Sequence, residues 1–278
     1  MTTPVPDTTE ATGRLPGTVS IGLHRVRIEL LQFGRDREAA FFTVILPVLL
    51  LVVFGSAFSG DVARGVSFSQ YFLAGMIASG IVYTSFQNLA ISIPQERDVG
   101  TLKRLLGTPM PKASYFIGKI GLILVIYIGQ VVLMMAIGVV LFDVHLPSDP
   151  ADWWTFTWVS VLGLVCCTLL GIAFSTVARS GRGAPALVSP VVLVLQFTSG
   201  VFFQYDELPP WMQQLAALFP LKWLCQGMRS VFLPDSFQRQ ELAGSWELGR
   251  TALVLTLWSV AALVLAMRYF RWQRRDDT

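Results

Sequence analysis

Glu96-Arg97-Asp98-Val99-Gly100-Thr101-Leu102-Lys103-Arg104-Leu105-Leu106 is a charged, helix-compatible insert between two long apolar runs. Val99, Leu102 and Leu106 fall at i, i+3 and i+7, with Leu105 beside them. Arg97, Lys103 and Arg104 fill the remainder. Gly100 interrupts the pattern, and Thr101 can cap a new turn. The pattern predicts an apolar span that ends near Pro94, a tight turn, and a short amphipathic helix along a membrane surface. An apolar stripe flanked by charge either inserts into a groove on a partner or rests on lipid headgroups.

The runs on either side of the insert set the fold class. The 278 residues are 53% hydrophobic and only 14% charged, where soluble domains carry about 25% charged residues. A bilayer crossing takes about 20 mostly apolar residues. Six runs qualify: 39–58, 71–93, 120–142, 156–178, 184–203 and 251–267. Tyr269 and Phe270 extend the last to 251–270, with Arg268 snorkelling to the surface. None of the six contains Asp, Glu, Lys, Arg or His before that extension. No strand-like alternation suggests a barrel. The expectation is an all-α polytopic membrane protein, with residues 1–18 as a disordered tail and 19–278 as one transmembrane domain.

Orientation follows from the basic residues. With the N-terminus inside, most of the 21 Lys and Arg residues fall on the cytoplasmic side. They include Arg25, Arg27, Arg35 and Arg37 before the first run, the basic residues of the insert, and Arg268, Arg271, Arg274 and Arg275 after the last. Both termini are therefore expected in the cytoplasm. The first twenty residues lack an apolar core, which argues against a cleaved signal peptide. Ahead of the first run, Leu23, Val26, Leu30 and Phe33 share a helical face, with Arg27 close to it. This face predicts an interfacial helix, the alternative being a solvated basic tail. Residues 204–249 form a long outer segment. Pro209, Pro210 and Trp211 open its first half; Pro220 and Trp223 open its second. Each half is too short to span, so two short amphipathic helices broken at Pro220 should dip back against the spans.

Chemistry is sparse. Cys166, Cys167 and Cys225 suit packing, and neither a zinc motif nor a GxSxG nucleophile is present. His24 and His145 lie in unrelated loops, and Asp149 and Asp152 read as a solvated turn. No metal is expected. A net charge of +3 gives no reason to expect nucleic acid. With no ionisable residue at depth, proton or ion coupling has no visible carrier. Mild polar residues at depth within the runs include Gln87, Asn88, Gln130, Gln196, Thr198 and Ser199. They could line a substrate path or hydrogen-bond between helices.

The insert, continued through Gly107-Thr108-Pro109 to Gly118-Lys119, resembles the coupling region of ABC-2 type permeases. Ser199-Gly200-Val201-Phe202-Phe203, Leu208-Pro209-Pro210-Trp211, Phe219-Pro220-Leu221 and Gly227-Met228-Arg229 resemble that family's fifth span and outer re-entrant helices. Gln204 stands where many relatives have Pro. The resemblance covers roughly residues 20–275, with the drug-resistance permeases the most similar branch. It implies the membrane subunit of an ATP-driven exporter in a bacterial cytoplasmic membrane. The cargo would be amphipathic, drug-like or lipid-like. A GxxxxGK[ST] phosphate loop is absent, so ATP and Mg would sit on a separate ATPase chain, and this chain would bind no cofactor. Two permease copies, surrounded by membrane lipid, would meet two ATPases. Glu96 and Arg97 would brace the inner end of the second span. Gly100 would allow the turn into the Thr101 helix, and Leu102, Leu105 and Leu106 would fill a groove on the ATPase. Pro209, Pro210, Trp211, Pro220 and Trp223 would shape an outer gate. The competing reading is a membrane scaffold or channel that works without an ATPase.

Overall fold

The computed structural model describes residues 17–58, 60–63, 65–178, 180–270 and 272. The expected tail, apart from residues 17 and 18, lies outside the described residues, as do Arg271, Arg274 and Arg275. The chain is helical almost throughout. Helix α1 is Thr18–Arg35. Helix α2 follows as three consecutive pieces, Arg37–Ala40, a π turn at Phe41–Ile45, and Leu46–Ala57. A two-stranded antiparallel hairpin, β1 (Asp61–Ala63) with β2 (Val66–Ser67), joins it to α3, which is Phe68–Asp98. Then come α4 (Thr101–Leu106), α5 (Lys112–Phe142), α6 (Pro150–Phe174) and α7 (Ala184–Thr198). The outer segment supplies α8 (Pro210–Ala217) and α9 (Pro220–Phe232), and α10 (Leu248–Tyr269) closes the chain.

Four helices, α3, α5, α6 and α10, are long and apolar enough to cross a membrane by length and composition. The apolar part of α2, Phe41–Ala57, and α7 are shorter. Several expected boundaries move. The second run does not stop at Pro94. Helix α3 continues through it to Asp98. A proline removes one backbone donor and crowds the preceding turn, but Ile93 and Pro94 are buried against neighbouring helices, and that packing overrides the local preference. Helix α5 begins eight residues before the expected 120, which draws Lys119 into the helix. Helix α7 ends at Thr198 rather than 203. The hairpin is a departure from the all-helical expectation. Val66 is fully buried in a second apolar cluster with Tyr71, Leu233, Phe237 and Trp246, and this anchors the short strand pair.

Helix α3 sits at the centre. Its first half is apolar or small on every face, and such a helix finds no solvent-facing side. Helix α9 was expected to be a short amphipathic helix dipping back against the spans, and it packs on α3, α6 and α10 with nearly all its residues buried. Its polar side chains are accommodated because they find partners inside this end of the bundle. Pro210 and Pro220 each occupy a first helical turn, so these prolines start helices instead of breaking one.

Helix α1 lies along α5 in the most extensive of the contacts between helices. The face it presents is Gly22, Arg25, Val26 and Glu29, while Leu23 and Leu31 are exposed. Of the expected apolar face, Val26, Leu30 and Phe33 are half-buried and Leu23 alone is exposed, and close approach adds Gly22, Arg25 and Glu29 to the inward side. A Cβ on Gly118 would lie 2.4 Å from Arg25 Cγ, and one on Gly121 would lie 2.3 Å from Val26 Cγ2. Replacing Gly121 with leucine should therefore push α1 off α5. Overpacking of this kind costs about 1–3 kcal/mol. Limited proteolysis should then cut within α1 at protease levels that spare the parent chain, and unchanged cutting would refute the seam.

Candidate functional site

The insert folds as a turn and a one-and-a-half-turn helix. Gly100 has φ +72°, a left-handed conformation that lets the chain reverse between α3 and α4. Thr101 does not cap the helix through its side chain. Gly100 is the N-cap, and the Thr101 hydroxyl instead accepts from Arg104 Nη2 at 3.5 Å. Arg104 Nη2 also donates to the Val99 carbonyl at 3.3 Å. At the other end the Thr108 hydroxyl donates to the Leu105 carbonyl at 2.7 Å.

Leu102 was expected to project toward a partner, and the structure corrects this. Leu102 is 0% exposed and belongs to the main apolar core. A helix of six residues has too little propensity to hold itself, so its most central leucine is spent on anchoring. Leu105 packs partly on the same core. The outward surface is Val99, 66% exposed, with Lys103, Arg104, Gly107, Thr108 and Pro109, and Leu106 half-buried at its edge.

Behind the insert lies a buried charge cluster. Lys119 Nζ on α5 donates to Glu29 Oε2 of α1 at 2.8 Å and pairs with Glu96 of α3. The Tyr115 hydroxyl donates to the other Glu96 oxygen at 2.9 Å. Arg25 completes the set, 2.9 Å from Glu29 Oε1. The Lys119 and Glu29 side chains are each only 4% exposed. Glu96 therefore does brace the end of α3, against α1 and α5. Arg97 does not share in this: its Nε and Nη2 are shut off from solvent and meet no hydrogen-bond partner among the described residues. Asp98 adds another tie, accepting from the Gly181 backbone N–H at 2.6 Å, which links α3 to the turn before α7. Sequence reading missed Glu29, Tyr115 and Lys119. The only visible signal was a lysine one residue ahead of an apolar run. Its acidic partners are 90 and 23 positions away.

A cavity of about 390 Å³ opens beside this cluster, between α1, the start of α2, α3 and α5. Gln87 and Asn88 line it together with Glu96 and Lys119. The other expected path residues are not brought there. Gln130 is buried where α5 meets α3 at Gly80, and neither end of its amide finds a hydrogen-bond partner among the described residues. Gln196 is buried beside Tyr83. The Thr198 hydroxyl bonds back to its own helix, at the carbonyls of Val194 and Leu195. Ser199 is buried at the end of α7.

At the opposite end of the bundle Arg229 of α9 is the centre of a second cluster. Its Nε donates to Glu241 Oε1 at 2.7 Å, and Nη1 lies 3.4 Å from the Gly200 carbonyl and 3.5 Å from the Tyr71 hydroxyl. The Tyr71 hydroxyl donates to Gly200 as well, at 3.1 Å. Burial by itself would weaken the Arg229 charge, but its neighbours, the Glu241 carboxylate foremost, together outweigh it and hold the guanidinium above its ordinary pKa. Lys222 lies over the Trp223 ring, 3.7 Å from its centre. Burial brings the Lys222 ammonium down to about 8, against the pull of Glu241 and Glu247. Trp223 is buried and donates to the Ala217 carbonyl at 2.8 Å, whereas Trp211 is 64% exposed. Of the five residues expected to shape this end, Trp211 alone faces outward from the packed surface as a large ring.

Residues 25–233 match the family model described as ABC-2 type transporter. The chain is 25% identical over 194 residues to the inner membrane transport permease YadH of Escherichia coli strain K12, covering 68% of this chain and 73% of that protein. It is 26% identical over 148 residues to the protein named "Probable multidrug ABC transporter permease YbhR" from the same strain, covering 53% of this chain and 39% of that one.

Proposed function

The chain belongs to the ABC-2 type transporter family and is a transport permease of an ABC transporter, and we propose that it exports an amphipathic, drug-like or lipid-like molecule when a separate ATPase chain docks on the α4 surface. In this reading it sits in a bacterial inner membrane as one of two permease copies, with both termini in the cytoplasm. The bias of Lys and Arg toward the terminal side supports that orientation. All six apolar segments cross. Residues 37–57 are continuously helical, about 31 Å at 1.5 Å per residue, which matches a hydrocarbon core of about 30 Å. Helix α7 is shorter, but Val201 and Phe202 beyond it are buried in protein, where non-helical backbone is tolerated at membrane depth.

The observation that carries the proposal is the two-sided build of the insert. Leu102 locks α4 to the core, and Val99, Lys103, Arg104 and the 107–109 turn face outward. Movement of a docked ATPase would therefore reach the inner end of α3 directly, and α1 and α5 through the Glu29–Lys119–Glu96 cluster.

The test is a pair of substitutions on the outward face, Val99→Asp with Leu106→Asp. Each adds a charge that docking would bury unpaired, at a penalty of several kcal/mol, so the ATPase should bind at least about a hundredfold more weakly. The chain's own melting temperature should barely move. Co-purification and substrate-stimulated ATP turnover measure the first, thermal unfolding the second. Normal ATPase recovery and turnover would remove the docking assignment.

A further inference from the structure

We propose that the π turns of α2 and α3 form a paired hinge, about which the ends of the two helices nearest α4 close on the cavity between them. The inference deepens the exporter reading and rests on it for what drives the closure, but not for the hinge itself.

Among the described residues there are two π turns, Phe41–Ile45 in α2 and Val82–Gln87 in α3. They stand at one level of the bundle, because both line the same cavity, through Phe42 and Thr43 on one side and Tyr83 and Gln87 on the other. In each, a backbone N–H reaches back five residues instead of four, from Leu46 to the Phe41 carbonyl and from Asn88 to the Tyr83 carbonyl. Such turns interrupt the regular ladder, cause helix kinks, and gather at functional sites. A second feature marks the same place in α3. The Thr84 hydroxyl donates to the Gly80 carbonyl at 2.8 Å, and the Ser85 hydroxyl donates to that of Ile81. Hydroxyls bonded four residues back slightly destabilise a helix and often bend it. Loose packing is not the cause, since Val82, Thr84, Ser85 and Phe86 are all buried.

The two helices are joined on one side of the turns and parted on the other. Toward the hairpin, Phe54 stacks on Phe72 with ring centres 5.2 Å apart, and the Ser69 hydroxyl donates to the Gly55 carbonyl at 3.4 Å. The same half of α3 is tied to α9, where Gln70 Nε2 donates to the Phe232 carbonyl at 2.5 Å. Toward α4, the cavity of about 390 Å³ lies between them, with Asp36 just before α2 and Val99 just after α3 both on its wall. This void gives room for movement that a close-packed interior denies elsewhere. The part of α3 past its turn is Asn88–Asp98, 11 residues. A change of about 20° in the kink would carry its far end by about 5–6 Å. The cross-ties allow this. Lys119, which holds both Glu96 and Glu29, has a long flexible stem, and Asp98 is tied to the turn at Gly181 rather than to a helix. An ATPase docked on α4 would sit at the moving end of the lever.

The experiment uses the full chain, purified without any ATPase in phosphatidylcholine discs, with Cys166, Cys167 and Cys225 replaced by alanine. Spin labels at Glu38→Cys and Val99→Cys, both exposed positions, span the parted ends. Labels at Ala57→Cys and Leu141→Cys, also exposed, span the hairpin side. Labelled chain is diluted into excess unlabelled chain, so that each distance is read within one molecule. Double electron–electron resonance should give the first pair a distribution about 5 Å broader than the second. Deleting one residue from a π turn returns it to α register. Deleting Tyr83 should narrow the first pair to the breadth of the second. Deleting Phe42, which is exposed and threatens the fold less, should narrow it in part, as one of two turns. Equal breadth for the two pairs in the parent would overturn the hinge, and so would an unchanged first pair in the deletion variants. The parent comparison needs neither deletion, so it decides even where a variant does not fold. No ATPase is present, so a failure of ATPase docking would count against the exporter reading alone.

Discussion

Lys119→Leu will destabilise the folded chain by about 3–5 kcal/mol, the penalty for leaving buried charges without their partner. Among the described residues Lys119 is the group that bonds both Glu29 and Glu96, and its side chain is 4% exposed. Without it Glu29 keeps Arg25 and Glu96 keeps the Tyr115 hydroxyl, but both lose the ammonium they share. The junction of α1, α3 and α5 should loosen. Thermal unfolding in detergent will show a melting temperature several degrees lower, and α1 will become protease-sensitive. Neutralising the acids should restore much of the loss: Glu29→Gln and Glu96→Gln added to Lys119→Leu leave no buried charge at Lys119's side of the cluster. That pattern separates an electrostatic junction from a merely crowded one. Lys103→Ala, on the exposed face of α4, should shift the melting temperature little. A parent-like melting temperature for Lys119→Leu would show that the cluster is not a structural junction.

Arg229→Leu will release helix α9. Arg229 is 1% exposed and ties Glu241, the Gly200 carbonyl and Tyr71 to one side chain. Its loss buries Glu241 unpaired, again about 3–5 kcal/mol. Cys225, one turn earlier on the same helix, reports the release. It is fully buried, and burial raises its thiol to about 12, so little reactive thiolate exists at neutral pH. Once exposed, the thiol returns toward its ordinary value near 8.5. In a background with Cys166 and Cys167 replaced by alanine, labelling of Cys225 by an impermeant thiol reagent should speed up on the order of a hundredfold or more. Adding Glu241→Gln should slow it again. If Cys225 stays as unreactive in Arg229→Leu as in the parent, Arg229 does not hold α9 in place.

The membrane class and the α-helical character were legible in composition and run length alone. A chain 53% hydrophobic and 14% charged must find a solvent other than water, and uninterrupted apolar runs in that solvent form helices. The insert at 96–106 and its turn at Gly100 were legible too, because a left-handed turn and a short periodic helix are local features. Tertiary structure decided what local pattern cannot carry. It turned Leu102 inward and left Val99 out, because a helix of six residues faces wherever the surrounding core holds it. It set α1 so that Arg25, Val26 and Glu29 meet α5, where Gly118 and Gly121 open a seam. It carried α3 through Pro94 and buried α9 with Arg229 inside it, because partners 12 to 158 positions away supply the missing bonds. Hydrophobic periodicity reports which residues avoid water. Buried ion pairs depend on which distant residues share a space, and that is settled only when the helices pack.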